Sequence, residues 1–559
     1  MKIEHPDLIL VNGKIITVDN NDRIVEALAI RNGKILALGN SEEIKALSGE
    51  GTRRIDLKGN TVTPGLLDAH MHLSASPFTI PNMIDVRYPN VKSIDDIKSL
   101  ISAQIKKVSP GEWIQGKGLD EGKIKEKRLI TAKELDEISP NNPVWLSHTT
   151  GHYGVANTKA LEIAEIDATT PNPPEGIIER DASGTATGTL IESAMTLIYQ
   201  KLPPLTVEDI EKGIAHMSDL LNSEGMTGAK DPTLTDERWE AYKNLLDSKK
   251  LKVRVLGLWH GGKSEESVQS ALRQHQEIQD TFKIGKNDHL VSGGIKIFAD
   301  GSGGARTAWL YDEWNKNFTE VDKGNYGFPN MTPDVLREMI KTIHEAGVHV
   351  SIHAIGDRTI DTVASIYKEV LETKPTQGLR HGIIHANIPT PTAMTIMKEL
   401  QSKYDAGYPE PSATFTWWIG DTYARNFGER AKRLNPFATF KEKGIIWANG
   451  SDYAVTPFPA RYGIWSSIAR QPEVGKYEQT PFGLEEAVDV KTALKASTIW
   501  AAHQMFMEEH IGSIEVGKYA DLAIWDRDLY TVSTPEIKNM KCLMTLFNGD
   551  IVYTADELK

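Results

Sequence analysis

From Thr63-Pro64-Gly65 onward, short apolar runs alternate with longer stretches of helical spacing, and this alternation limits the folds open to the chain. Segments 253–259 and 293–299 have the pattern of buried strands, whereas 331–346 has the spacing of a helix. Repeated strand–helix units form parallel sheets, and a chain of this length favours a closed barrel of eight such units. We therefore predict an α/β protein with a (β/α)8 TIM barrel over residues 64–499. An insertion at about 78–200 fits the alternation poorly.

Both ends of the chain have the pattern of β-structure instead. Asn-Gly pairs at 12–13, 32–33 and 548–549 each separate alternating apolar and polar residues, and the phrases that follow them are near copies. Asn-Gly between such runs is the strongest short signal for a β-hairpin. We predict one small β-sandwich domain built from residues 1–63 and 500–559. Two separate hairpins are the alternative.

Composition and charge exclude several classes of protein. Hydrophobic residues make up 40% and charged residues 25% of the 559 residues, as in ordinary soluble proteins. A net charge of −13 without a local basic patch argues against nucleic-acid binding. The single cysteine, Cys542, excludes an internal disulfide and a cysteine-based zinc site. The sequence has neither an apolar run of membrane length nor a signal-peptide core, so we expect a cytoplasmic protein with no membrane partner.

A pair of histidines marks a possible metal site directly after a strand-like run. His70 and His72 follow Val62-Thr63-Pro64-Gly65-Leu66-Leu67-Asp68. In an extended chain residues i and i+2 point to the same side, so both imidazoles can face one point. Neutral imidazole binds zinc, iron, nickel and manganese. A surface histidine pair is the alternative.

Four further candidates lie within or just after later apolar runs: Lys296, His353, His385 and Asp452. A lysine inside an apolar strand must be paired, neutralised or modified, because burying an unpaired ammonium is costly. Each residue alone is typical of an ordinary polar group that has found a partner. Together they follow successive strand ends of a barrel, where active sites are built.

These phrases resemble the amidohydrolase superfamily, and more closely its amidohydrolase-3 or YtcJ-like branch, which includes N-substituted formamide deformylases. The resemblance extends over nearly the whole chain. The residues that carry it are Thr63-Pro64-Gly65-Leu66-Leu67-Asp68-Ala69-His70-Met71-His72, 294–302, His353-Ala354-Ile355-Gly356-Asp357 and Gly450-Ser451-Asp452.

The resemblance implies a site for two divalent metal ions, with zinc as the first expectation and iron, nickel or manganese as alternatives. His70 and His72 would bind one ion. Lys296, carboxylated on its amine by carbon dioxide, would bridge both ions. An ion pair of Lys296 with Asp300 or another acid is the alternative to this carbamate.

For the second ion the resemblance implies His353 and His385 as ligands. Asp452 would bind a metal and take the proton from the attacking water. A carbamate converts a cation into an anionic ligand, and two divalent cations lower the pKa of a shared water. A carboxylate beside that water is then a plausible general base.

The chain departs from the branch at several positions where we expect substrate choice to be set. Ile384 stands where the branch has a glutamate before the sixth-strand histidine, so a carboxylate that would orient that ligand is missing. Ala454 replaces a common proline, and Thr416-Trp417-Trp418 replaces a common Gln-Pro. These departures argue against assuming the deformylase substrate.

Candidate substrate-binding residues follow the predicted strands or lie in the insertion. Arg306 is a candidate for contact with a substrate carboxylate, with a structural salt bridge as the alternative. His152 is a candidate lid residue, with a plain turn histidine as the alternative. The remaining candidates are aromatic residues that either line the pocket or pack in the core, and they are Trp259, Trp309, Trp417 and Trp418.

The leading hypothesis is a metal-dependent hydrolase that cleaves a carbon–nitrogen bond in a small apolar or aromatic amide-like molecule. One alternative keeps the metal site, with a single ion, for deamination, isomerisation or decarboxylation, since a fold does not determine a reaction. Another is a non-catalytic ligand-binding relative. A homodimer is expected only because many relatives pair.

Overall fold

The computed structural model describes residues 5–80, 83–314, 324–474 and 481–556. Its strands, in chain order, are β1 Leu8–Val11, β2 Lys14–Ile16, β3 Ile24–Val25, β4 Ala27–Arg31, β5 Lys34–Gly39, β6 Arg53–Asp56, β7 Thr61–Pro64, β8 Leu66–Asp68, β9 Ile84–Asp85, β10 Ile114–Leu119, β11 Val144–His148, β12 Tyr153–Ala156, β13 Gly176–Arg180, β14 Ala186–Glu192, β15 Met226–Leu234, β16 Arg254–His260, β17 Leu290–Phe298, β18 Val350–Ala354, β19 Gly382–His385, β20 Tyr408–Glu410, β21 Leu522–Trp525, β22 Cys542–Phe547 and β23 Asp550–Thr554.

The helices, in chain order, are α1 Ser41–Lys45, α2 Ile94–Ile105, α3 Ala132–Asp136, α4 Thr158–Ile163, α5 Thr196–Tyr199, α6 Val207–Ser223, α7 Asp236–Asp247, α8 Glu265–Ile278, α9 Pro333–Glu345, α10 Asp357–Thr373, α11 Pro391–Tyr404, α12 Phe415–Trp418, α13 Gly420–Phe427, α14 Phe437–Lys443, α15 Ala460–Ala469, α16 Val490–Ala496, α17 Ile499–Gln504 and α18 Thr534–Ile537. In the described part of the chain, none of them combines the length and the apolar content needed to cross a bilayer.

A parallel sheet of seven strands forms the centre, in the order β8-β15-β16-β17-β18-β19-β20. Helices α6 to α11 alternate with its strands along the chain. Helix α9 shows why the sequence adopts this form: Thr332 caps its first turn, Pro333 occupies the first position, and its apolar residues face the core. The predicted α/β fold is confirmed.

The extended segment 445–450 lies between the two edge strands of this sheet. Ala448 N donates to Pro409 O of β20 at 3.3 Å. Ala69 N, just after β8, donates to Asn449 O at 2.9 Å. Backbone hydrogen bonds therefore link both edge strands through this segment.

Two further sheets are built from both ends of the chain, in the orders β5-β4-β1-β6 and β3-β2-β7-β21-β22-β23. One apolar core contains residues of both sheets, among them Leu10, Val62 and Leu522. The change from this region to the central sheet occurs at Gly65, between β7 and β8.

The hairpin expectation is confirmed at two Asn-Gly pairs and is wrong at the third. Asn32-Gly33 and Asn548-Gly549 have positive φ at both residues and join paired antiparallel strands. At 12–13 only Asn12 has positive φ, and a Cβ on Gly13 would lie 2.3 Å from Leu57 Cδ1. The chain passes there from one sheet to the other, so β1 and β2 are not partners.

The region predicted as an insertion contains a sheet of its own, in the order β13-β14-β12-β11-β10-β9. Helices α2 and α3 pack on its strands, and a separate apolar core includes Ile97, Leu135 and Leu146. This sheet lies in sequence between the first and second strands of the central sheet.

A buried ion pair connects the central sheet to the terminal sheets. Arg254 at the start of β16 donates from Nε to Asp521 Oδ2 at 2.7 Å and from its terminal nitrogen to Asp521 Oδ1 at 3.0 Å. The two side chains are 0% and 2% exposed. Asp521 also accepts from Asn548 N at 2.8 Å.

We expect Arg254→Met to lower the free energy of unfolding by about 3–5 kcal/mol, because it leaves a buried carboxylate without its cation. Urea unfolding followed by circular dichroism measures this. The double variant Arg254→Met/Asp521→Asn removes the orphaned charge and keeps an acceptor for Asn548, so it should recover most of the loss. A double variant as unstable as the single one would contradict this account.

Candidate metal centre

The predicted metal ligands lie at or just beyond the carboxyl ends of parallel strands. They are His70 and His72 after β8, Lys296 in β17, His353 in β18, His385 at the end of β19, and Asp452 after the segment 445–450. Because parallel strands share one direction, their carboxyl ends lie together at one end of the sheet. The structure thus brings together residues that are up to 382 positions apart in the chain (70 to 452).

Asp68, the last residue of β8, connects the two loops that carry the first ligands. Its Oδ1 accepts from His70 N at 3.0 Å and from Ser451 N at 3.0 Å. Asp452 N in turn donates to His70 O at 2.7 Å. Burial raises the pKa of Asp68 to about 7. The sequence analysis did not single out this residue, although it lies within the phrase that carries the family resemblance.

Three of the predicted histidine ligands lie within 4 Å of the carboxylate of Asp452. Its Oδ1 lies 3.3 Å from His70 Nε2 and 3.2 Å from His72 Nε2, and its Oδ2 lies 3.9 Å from His385 Nε2. Burial acts to raise the pKa of Asp452, but the imidazoles outweigh it and hold the pKa well below its usual range. The group is therefore an anion at neutral pH. His70, His72 and Asp452 are close enough together to hold one metal ion.

His353 and His385 form the other side of the group. Their ring centroids are 4.7 Å apart, and that of His385 is 5.3 Å from His70. His353 donates from Nε2 to Gly301 O at 2.9 Å, which leaves its Nδ1 as the free ring nitrogen. Burial lowers the pKa of both imidazoles, to about 3 for His385. Both are thus neutral, as metal binding requires.

Lys296 is fully buried, and its Nζ has no hydrogen-bond partner among the described residues. Burial lowers its pKa to about 7. The alternative ion pair with Asp300 is absent, because Asp300 instead accepts from the backbone N–H groups of Ile355, Gly356 and Trp309. After burial, the Lys296 charge is the next cause that lowers the pKa of His70, so the two side chains share one electrostatic environment.

A second buried lysine of the central sheet, Lys230, has a carboxylate partner, whereas Lys296 has none among the described residues. Lys230 in β15 is equally buried, but it donates to Glu410 Oε1 at 2.6 Å and to Ser351 Oγ at 3.1 Å. The sheet therefore provides an anion for one buried lysine and none for the other. The donor set around Lys296 fits a bound cation: both ring nitrogens of buried His70 also lack hydrogen bonds to the described residues.

Five of the six predicted ligands, all except Lys296, line a cavity of about 430 Å³. Its other lining residues lie in strands of the central and inserted sheets and in loops, and include Ala75, Lys117, Thr150, Gly151, His152, Glu192, His260, Lys263, Phe298, Asn330, Ala454 and Val455. Segment 78–200 thus contributes part of the wall of the site. Lys117, Glu192 and Asn330 were missed by the sequence analysis, since no motif surrounds them.

His152 lies on the cavity and is fixed by Glu192. Its Nδ1 is 3.0 Å from both carboxylate oxygens of Glu192, and its ring centroid is 5.6 Å from that of His353. Burial acts to lower the pKa of His152, but the Glu192 charge outweighs it and raises the pKa. Glu192 also accepts from Thr307 Oγ1 and has a positive φ of 52°. Glu192 therefore fixes the orientation of the His152 ring in the cavity wall.

The structure does not bring Trp259 or Trp309 to the cavity lining. Trp259 packs against Trp239 of α7 and donates from Nε1 to Ser292 Oγ at 3.0 Å. Alternate residues of a strand face opposite sides, and Trp259 faces the helices. Trp309 stacks under Arg358, whose guanidinium carbon is 4.1 Å from the ring centroid.

Arg306, Trp417 and Trp418 also lie away from the cavity lining. Arg306 has a positive φ of 57° in a turn, and its carbonyl accepts from Asn325 Nδ2. The seventh strand ends at Glu410, and Trp417 and Trp418 lie beyond it in helix α12. Trp417 packs among aromatic rings and donates to Glu473, and the Trp418 ring lies 3.4 Å from Lys123 Nζ.

A second group of possible metal ligands, Asp120, Glu121 and His148, lies in the inserted sheet and the loop after β10. Here His148 is already satisfied: Nδ1 bonds Thr150 Oγ1 at 2.9 Å and Nε2 bonds Tyr153 OH at 2.8 Å. Both ring nitrogens of His148 are therefore hydrogen-bonded within the protein, whereas those of His70 have no hydrogen bond to the described residues.

The chain is similar to known proteins over nearly its whole length. A sequence model described as the Amidohydrolase family matches residues 53–553. Protein LONG AFTER FAR-RED 3 of Arabidopsis thaliana is 30% identical, with 98% of this chain and 91% of that protein covered. N-substituted formamide deformylase of Arthrobacter pascens is 28% identical, with 98% of each covered. The crystal structure of an uncharacterized metal-dependent hydrolase from Pyrococcus horikoshii OT3 is similar with a TM-score of 0.72, 26% identity, and coverage of 94% and 99%.

We expect His70→Asn to lower the metal content per chain after zinc loading and dialysis, because it removes a buried imidazole whose ring nitrogens have no hydrogen bond to the described residues. Elemental analysis of protein purified without a metal-affinity tag measures this. The matched control is His148→Asn in the second group, which should leave the metal content unchanged. Loss of metal from the control alone would place the ion in the inserted sheet instead.

Proposed function

The chain belongs to the amidohydrolase family, and from this premise we propose that it hydrolyses a carbon–nitrogen bond in a small amide-like molecule with the help of bound divalent metal ions. The observation that carries the proposal is the convergence of four histidines and one carboxylate on a single cavity. A buried lysine whose Nζ has no hydrogen-bond partner among the described residues lies in β17, the strand that pairs with that of His353. The relative named as a formamide deformylase covers nearly the whole chain and supports carbon–nitrogen chemistry.

In this proposal His70, His72, His353, His385, Asp452 and a carboxylated Lys296 hold two divalent ions, with zinc preferred. Ions bound there would supply a water of lowered pKa and would polarise the substrate carbonyl. The lowered pKa of Lys296 supports carboxylation, because only the unprotonated amine reacts with carbon dioxide. Among the described residues no carboxylate is hydrogen-bonded to its Nζ, which supports carboxylation as well, since the carbamate would itself supply the negative charge.

Asp452 is the proposed general base. It is ionised, and its Oδ1 lies within 3.3 Å of both His70 Nε2 and His72 Nε2. It would accept a proton from the attacking water and pass it to the leaving nitrogen. His152, fixed by Glu192, would donate from Nε2 to the carbonyl oxygen as negative charge develops there.

For the architecture we propose a closed (β/α)8 barrel, a β-sandwich from both chain ends, and a lid from the inserted sheet. The links of segment 445–450 to both edge strands support closure, and the shared core of the two terminal sheets supports the sandwich. The expected cytoplasmic location, homodimer, and lack of nucleic-acid and membrane partners belong to this proposal too.

A one-ion version of the site, used for deamination, isomerisation or decarboxylation, is a second candidate. Three residues, His70, His72 and Asp452, are close enough to share one ion, and His385 lies farther from the carboxylate, at 3.9 Å. One tightly held ion per chain would favour this version, and two would favour the hydrolase.

We expect Asp452→Asn to reduce kcat by about 10²–10⁴-fold, because the amide cannot accept the proton from water. Hydrolysis of a panel of small amides, with release of amine as the readout, measures this. The metal content should stay at or above half of the wild-type value, which separates loss of the base from loss of the site. Asp219→Asn, on the exposed side of α6, is the matched control. Near-normal turnover of Asp452→Asn would remove the role proposed for Asp452.

We expect a carbamate on Lys296 to be visible without any substrate. Protein loaded with metal in ¹³C-bicarbonate should show one protein-bound carbamate carbon by NMR. Lys296→Arg should lose that signal, because a guanidinium does not form the adduct. Lys98→Arg, at a surface lysine paired with Glu137, is the control and should keep it. A signal that persists in Lys296→Arg would contradict the assignment.

A further inference from the structure

Lys117 is a charged side chain that lines the catalytic cavity and has no ion-pair or hydrogen-bond partner for its Nζ among the described residues. The other charged groups of the lining are already paired. These pairs are Glu192 with His152 at 3.0 Å, Asp452 with His72 at 3.2 Å, and Lys263 with Glu175 at 3.0 Å. The cavity therefore presents one cation whose charge no neighbouring carboxylate neutralises by contact.

The backbone around Lys117 is built to direct this side chain. In strand β10 the register with β11 shifts between Lys117 and Leu119, so Gly118 is the extra residue of a β-bulge. Bulges of this kind redirect a side chain, and they are common beside active sites. Gly118 has a φ of +98°, and a Cβ there would lie 2.0 Å from Arg87 Cγ. Only glycine fits at that position.

Space around the ammonium is also kept open. The nearest atom to a Cβ built on Gly151 is Lys117 Nζ, at 3.8 Å, so a larger residue there would contact the ammonium. The neighbouring cation, Arg87, does not compete for an anion in the cavity. It donates to Asp85 from Nε at 2.7 Å and from a terminal nitrogen at 2.8 Å.

The charge of Lys117 indicates which kind of ligand it would bind. Burial lowers its pKa to about 8, against the opposing effect of the Asp452 charge, so the side chain remains largely protonated at pH 7. A half-buried ammonium without a partner costs free energy that an anionic ligand would recover. One unpaired cation matches a singly charged group.

We propose that Lys117 binds a carboxylate of the substrate, so that the substrate is a small amide that also carries a carboxylate group. This inference rests on the proposed hydrolase function and takes the place of the carboxylate contact predicted for Arg306, which lies away from the cavity lining. Phe298, Ala75 and Val455 provide the apolar part of the same cavity. Lys117 is a binding residue here and takes no part in proton transfer.

The test compares two probes that differ only in charge, N-benzoylglycine and its neutral carboxamide, on the metal-loaded full-length protein. Binding is measured by titration calorimetry in the first minutes, and release of benzoate is followed in the same samples. We expect Lys117→Met to weaken binding of the carboxylate probe about 10- to 100-fold and that of the neutral probe less than about threefold. Lys117→Arg should retain most of the binding, because it keeps the charge.

Lys98→Met is the matched control, since it removes a surface lysine of the inserted region and should change neither affinity. Lys117→Gln serves in place of Lys117→Met if the latter does not fold. Equal weakening of both probes, or unchanged binding of the carboxylate probe, would overturn the inference.

The two proposals fail separately in this experiment. Hydrolysis without dependence of carboxylate binding on Lys117 would overturn the inference and keep the hydrolase. Carboxylate binding that depends on Lys117, without hydrolysis of either probe, would support the carboxylate site while counting against the hydrolase.

Discussion

The buried amine of Lys296 is the constraint on which the architecture of the site depends. An ammonium in the middle of a parallel sheet is costly unless an anion, a modification or a metal ligand role accounts for it. The sheet supplies Glu410 to Lys230 but supplies no carboxylate to Lys296. Asp300, the acid nearest in sequence, is occupied by three backbone N–H groups. The sheet thus leaves an electron-pair donor beside four imidazoles and a carboxylate.

The inserted sheet contributes further polar side chains to the cavity wall. It places His152 and Glu192 at the cavity as an interacting pair, and it places Lys117 there beside a register shift between β10 and β11. The strands of the central sheet contribute the predicted metal ligands, whereas the inserted sheet contributes groups that can contact a substrate.

The aromatic residues show where reasoning from strand ends is limited. Trp259 lies one residue from the end of its strand, but strand alternation turns its side chain toward the helices. Trp417 and Trp418 follow the seventh strand only after a loop, and α12 packs them into the aromatic core. A one-residue change of phase or a few residues of loop decides whether such a side chain meets the cavity, and hydrophobicity does not encode that phase.

The sequence by itself determined the α/β class, the change of fold near Gly65, and the residues that converge on the cavity from the central strands. These follow from local periodicity and from the rule that parallel strands place their carboxyl ends together. Only the tertiary structure decided that Lys296 lacks an anion, that Glu192 orients His152, and that Lys117 reaches the cavity. Those contacts join segments far apart in the chain, such as Glu192 and Thr307, and depend on where a bulge or a loop directs each side chain. The local sequence pattern does not specify contacts between distant segments, so only the tertiary structure determines them.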